Sequence, residues 1–173
     1  PNAGADYLVT NGLKLRTSAE WKSSRTFGGA QLILGDATSS GLLLLKNTGK
    51  VSATVPRLVA VSGSIQAAGN QMATEAIEQR LGGTIQVQSV ESNPFAFEIG
   101  GPNRTIAFDG ALVGDATNAL CLTAGVDTVA DGFGRLVLAG TNASWKGSLS
   151  VKDACLELVL ATAAAFGGAA EAA

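Results

Sequence analysis

The sequence predicts an all-β fold, a parallel β-helix in which short strands stack turn upon turn, with one short inserted helix. Three observations predict it. The strand runs are too short to make a core with one hairpin partner: Ile106 and Phe108, Leu120 and Leu122, Leu136 and Leu138, Leu149 and Val151, and Leu156 and Leu158 each supply a brief alternation before Gly, Asn, Asp or Ser intervenes. A coil solves this by stacking every strand on its equivalents in the turns before and after. The apolar set is also aliphatic, with 46% hydrophobic residues and only 5% aromatics, which suits narrow stacked layers. Finally, 22 glycines stand against 4 prolines and alternate with apolar runs, as a ladder of tight corners requires and a low-complexity linker does not. The whole chain, 1–173, fits one domain and reads as a single solenoid segment.

In order along the chain, Tyr7-Leu-Val9 and Leu13-Lys-Leu15 are two strand patterns broken by the turn signal Asn11-Gly12. Ser18 to Ser24 is a polar loop or single helical turn around Trp21, and Arg25 to Leu34 is a corner feeding a strand. Leu42 to Leu45 is apolar at successive positions, which predicts burial on both faces and therefore a cover on its outer side. Lys50 to Val55 and Leu58 to Ile65 alternate and flank Pro56, which marks a corner or an unpaired position. Between 70 and 81 the rhythm changes: Met72, Ala73, Ala76, Ile77 and Leu81 fall at helical spacing, with Glu75, Glu78, Gln79 and Arg80 opposite. An amphipathic helix is expected there, capping the core and covering Leu42 to Leu45. Gly82 to Gln88 resumes the strands, and Arg80-Leu-Gly-Gly-Thr-Ile85 echoes Arg25-Thr-Phe-Gly-Gly-Ala30. Phe95 to Ile99 is the most aromatic strand. Residues 103–158 carry the clearest repeat, and the Ala-rich segment 161–173 frays or begins a further repeat.

Within that unit, Gly134-Arg-Leu-Val-Leu-Ala-Gly-Thr-Asn142, then Gly147, Ser148-Leu-Ser-Val151 and Cys155-Leu-Glu-Leu158 resemble the autotransporter-associated β-strand repeat, whose pattern is G-x-L-x-L-x-G-x-N, a polar corner, T-x-V and L-x-L. Upstream, Arg104 to Gly114 resembles the strand and corner that precede this pattern, and Ala163 to Gly168 resembles its closing segment. The corner from Asn142 to Gly147 is slightly longer than the family's, and Cys155 stands where Gly is common. The resemblance implies a right-handed, three-faced coil from a secreted, surface-displayed bacterial protein. Its implied function is structural or adhesive display at the cell surface and outer membrane, with protein or glycan ligands and self-association as its contacts. The start at Pro1, without an initiator Met or signal peptide, suggests a processed protein or a fragment of a longer one.

Chemistry finds little purchase. Net charge is −2 and the 12 basic residues are scattered, so no stripe is available for a nucleic-acid backbone. No run approaches the ~20 apolar residues of a membrane span. There is no His, so two Cys cannot complete a tetrahedral metal site, and no cofactor is expected. Cys121 and Cys155 both alternate with Leu and so point away from the interior, either joined in a disulfide between neighbouring coils or as separate thiols. Asp109, Asp115, Asp127 and Asp131 lie near corners. Asp is a standard turn residue, but a converging pair would suit a carbohydrate-active β-helix enzyme, which is the alternative to display. G-x-S-x-G and calcium-loop motifs are absent. Asn103-Arg-Thr105 and Asn142-Ala-Ser144 match the glycosylation sequon. Trp145 and Trp21 are the candidate surface contacts, able to line a sugar groove or to pack back on the corner; a carbohydrate-binding module is the second alternative.

Overall fold

A computed structural model describes residues 1–47, 51–67, 76–100, 103–124, 134–153 and 156–161. The strands in chain order are β1 (Asp6–Val9), β2 (Lys14–Arg16), β3 (Arg25–Thr26), β4 (Gln31–Leu34), β5 (Gly41–Leu45), β6 (Ser52–Ala60), β7 (Gly63–Ala67) and β8 (Ile77–Val87). They continue with β9 (Phe95–Glu98), β10 (Arg104–Phe108), β11 (Ala111–Val113), β12 (Ala119–Thr123), β13 (Gly134–Leu138), β14 (Ser148–Val151) and β15 (Leu156–Leu160). Every ladder between them is parallel, and consecutive strands do not pair. The chain is therefore wound and not folded back, as a parallel β-solenoid of about five turns.

The registers resolve three faces. The first stacks β1, β4, the second half of β6, the second half of β8, and β11. The second stacks β2, β5, β7, β9, β12 and β14. The third stacks β3, the first half of β6, the first half of β8, β10, β13 and β15. Strands β6 and β8 each round one corner without a break. The register of their pairing shifts between Val55 and Arg57, so Pro56, which has no N–H to donate, falls at the one unpaired position.

Each face contributes a column of inward side chains. Tyr7, Leu32, Leu58, Ile85 and Leu112 stack on the first face. Leu15, Leu43, Ile65, Phe97 and Leu122 stack on the second. On the third the column is Arg25, Ala53, Leu81, Phe108, Leu138 and Leu160. Away from the two ends these side chains are buried and form one continuous core. Dispersion and burial of aliphatic layers hold the coil, and each turn needs only its neighbours.

Corners are held by glycine and by buried amides. Gly83, Gly110 and Gly140 stack at the corner between the third and first faces, where a Cβ would collide with the carbonyl oxygen one turn below, that of Val55, Gly83 and Gly110 respectively. Gly83 also has φ 107°. At another corner the fully buried Asn47 accepts from the Thr17 hydroxyl (3.0 Å) and donates to the carbonyls of Val51 (2.8 Å) and Arg80 (3.0 Å). Asn142, also fully buried, accepts from the Leu112 N–H at 2.6 Å. Buried backbone groups at such corners have no ladder partner, and an amide side chain supplies one.

The expected helix over 70–81 is not what the second half of that segment forms. Ile77 to Leu81 opens β8, paired in parallel with β10 on one side, while Arg80 and Leu81 also pair with β6 on the other. The helical spacing of Ile77 and Leu81 equally fits a period of two once Gln79 is inward, and Gln79 is buried in register with Ile106 and Leu136. Two flanking ladders outweigh a propensity preference. Residues 70–75 lie outside the described residues. The outward pair Leu42 and Leu44 is half-buried, and its ladder neighbours are Lys14 and Arg16 on one side and Ser64 and Gln66 on the other. Lys14, Arg16 and Gln66 bring long side-chain stems beside these leucines, and Ser64 is the short exception.

Candidate functional site

Of the two tryptophans, the structure keeps one at the surface. Trp145 is buried, packed against Gly114 and Gly147, and its backbone bridges to Gly114 in parallel. It fills the corner space that those two glycines leave open, so the expected surface contact does not hold for Trp145. Trp21 is half-buried, rests against the core at the first turn, and walls a cleft of about 370 Å³.

That cleft has a clear origin in the sequence. Ala53 is the smallest side chain of the third-face column, and β3, which covers it, is only two residues long. Leu15 and Leu43 form one wall from the second face; Phe27, Val55 and Trp21 form the other. Phe27 is fixed edge-on against Tyr7, with ring centroids 5.3 Å apart. Pro1 and the exposed residues Arg16 and Arg25 complete the lining, and no Asp or Glu among the described residues belongs to it. Ion pairs among the described residues involve Arg80 with Glu78 and Asp109, and Arg135 with Glu157, so neither Arg16 nor Arg25 is neutralised by one. Sequence reading singled out Trp21 but missed Arg25. Arg25 is exposed, and its register with Ala53 and Leu81 becomes visible only in the assembled ladder.

The other expected groups are dispersed. Asp109 and Asp115 sit at opposite ends of β11; Asp109 lies 3.6 Å from Arg80, whereas Asp115 shapes a turn with Asn118. Asp127 and Asp131 lie outside the described residues. Among the described residues no cluster of three or more His, Cys, Asp or Glu is placed to hold a metal ion. Cys121 carries a free thiol, the second of the two readings open to it. It lies on the outer side of the second-face strand β12, beside Ala96 and Ser150, whereas Cys155, outside the described residues, precedes the third-face strand β15. Burial pushes the Cys121 thiol pKa up, partly offset by nearby Lys152. Asp153 is held below the ordinary carboxylate range because its side chain accepts from the Ala124 N–H (2.8 Å) and the Thr123 hydroxyl (2.9 Å).

Two further residues change meaning. Asn142 is fully buried and bonded to Leu112, which removes its side chain from any modifying enzyme. Arg104, which sequence reading passed over, is almost wholly buried, and desolvation lowers its pKa. No helix among the described residues is long and apolar enough to cross a membrane.

No protein-family model matches the chain, and comparison with curated proteins and with solved structures finds no match either. The likeness of Gly134 to Leu158 to the autotransporter-associated repeat rests on the residues themselves.

Proposed function

We propose that this chain is a structural solenoid displayed at a bacterial cell surface, a rigid stalk segment with an adhesive role. The observation that supports the reading is the unbroken three-column core, which makes a rod from ladder hydrogen bonds and aliphatic layers alone. The G-x-L-x-L-x-G-x-N run supports it further, since Leu136 and Leu138 face the core and Asn142 closes the corner. Secretion and an outer-membrane location belong to the same reading.

The test is antibody labelling of intact producing cells with and without external protease. Labelling of intact cells that protease removes is the expected result. Signal that emerges only after permeabilisation would overturn the proposal.

A further inference from the structure

We infer that a groove on the outer side of the second face binds a neutral oligosaccharide laid along the solenoid axis. The groove crosses β2, β5, β7 and β9, and its volume of about 420 Å³ lies in the range of small-molecule sites. Leu42 and Ser64 form its floor, pointing outward while their chain neighbours Leu43 and Ile65 fill the core. Their column continues through Ala96 and Cys121 to Ser150, and beyond Pro94 a second depression of about 280 Å³ follows. Small side chains at successive rungs thus leave a valley across the turns. Asn93 and Pro94 wall it on the corner side, and Gln66 and Glu98 on the other.

The class of occupant follows from what the groove offers. Ser64 is only 6% exposed, yet its hydroxyl lines the groove and has no hydrogen-bond partner among the described residues. A buried hydroxyl so placed is satisfied from the groove itself. Gln66, half-buried in the neighbouring column, adds an amide that both donates and accepts. Lys14 and Glu98 stand at opposite ends and cancel in charge, so nothing in the lining selects an ion. Leu42 and Pro94 supply apolar contact for the C–H faces of a pyranose, while the hydroxyl and amide groups meet its rim. An extended peptide is a poorer fit, because β7 is paired on both sides, with β5 and β9, and has no backbone edge to extend. Successive rungs are about 4.8 Å apart, close to the length of one pyranose, and the path from β2 to β9 gives room for a trisaccharide.

The groove belongs to the coil wherever the protein resides, so binding to the purified chain succeeds or fails apart from the cell-labelling result. The test is calorimetric titration of the folded chain with cellotriose, maltotriose and tri-N-acetylchitotriose. Trigalacturonate and fully de-acetylated chitotriose serve as an anion and a cation of the same length. At least one neutral trisaccharide is expected to bind with a Kd of about 1 mM or tighter, and at least about 10-fold more tightly than either charged one. Its affinity should not change with salt. Ser64→Leu raises the groove floor between Leu42 and Ala96 and is expected to weaken that sugar at least about 10-fold. Gln66→Ala is expected to weaken it about 5- to 10-fold. Gln86→Ala, on the outer side of the first face, is expected to change nothing. Circular dichroism and thermal melting show whether each variant is folded, and Gln66→Ala decides alone if Ser64→Leu is not. No binding of any neutral trisaccharide up to about 10 mM, tighter binding of a charged one, or wild-type affinity in the folded groove variants would each overturn the inference.

Discussion

Gly82 and Gly83 are adjacent in β8, yet alanine at the two positions should have opposite effects. A Cβ on Gly82 would sit 3.5 Å from Thr54 Oγ1 and 3.9 Å from its Cγ2, which is ordinary contact. Gly82→Ala therefore gains about 0.4–1 kcal/mol by restricting the unfolded chain. At Gly83 the Cβ would meet the Val55 carbonyl oxygen, and φ is 107°, where L side chains are strained. Backbone strain of about 1–3 kcal/mol and forced overpacking of about 1–3 kcal/mol together put the loss at about 2–6 kcal/mol. The two variants should thus differ by at least about 2.5 kcal/mol. With a urea dependence of about 1–3 kcal/mol per molar, their unfolding midpoints should be separated by about 0.8 M or more. Urea titration followed by circular dichroism and tryptophan fluorescence measures this directly. Midpoints that coincide within about 0.3 M, at equal slopes, would refute the glycine stack as the reason for this corner.

Three more outcomes follow from the same geometry. Asn142→Ala leaves the buried Leu112 N–H without its acceptor and should cost about 1–3 kcal/mol, read from the same urea titration. Asp153 has a folded pKa below its ordinary value of 3.8, so its contribution is complete well above 3.8 and is lost as pH falls through the folded value. Asp153→Asn should flatten that acid limb of a stability-against-pH curve and leave the remainder of its shape unchanged. The Cys121 thiol, buried and with a raised pKa, should resist iodoacetamide at pH 7 in the native state and react at least about 10-fold faster in urea, as mass spectrometry of its peptide would show.

How far the fold could be read in advance depended on whether a residue's role was local. Leu136 and Leu138, or Leu120 and Leu122, announce their inward direction by alternation, and the structure buries all four. Pro56 likewise announced a gap in pairing, because the missing N–H is a property of the residue itself. The segment from Ile77 to Leu81 misled because one buried amide, Gln79, occupies an inward position, and composition ranks Gln as polar and outward. Its direction is imposed by Ile106 in the next turn, more than 20 residues away in sequence. Trp145 was ambiguous for a similar reason. Only the assembled corner shows that Gly114 and Gly147 leave a slot for its ring. The cleft was half legible: Trp21 stood out as a lone aromatic, but Arg25 acquires meaning only as one rung of a column whose other rungs are apolar.

The continuous passage of β6 and β8 around a corner has a mechanical consequence. Their shared register runs from Ser52 opposite Arg80 to Ala60 opposite Val87, the longest seam in the coil, whereas β3 is fastened by two residues. Opening a coil of this kind breaks one seam at a time, so the two-residue seam of β3 should part well before the seam that joins β6 and β8.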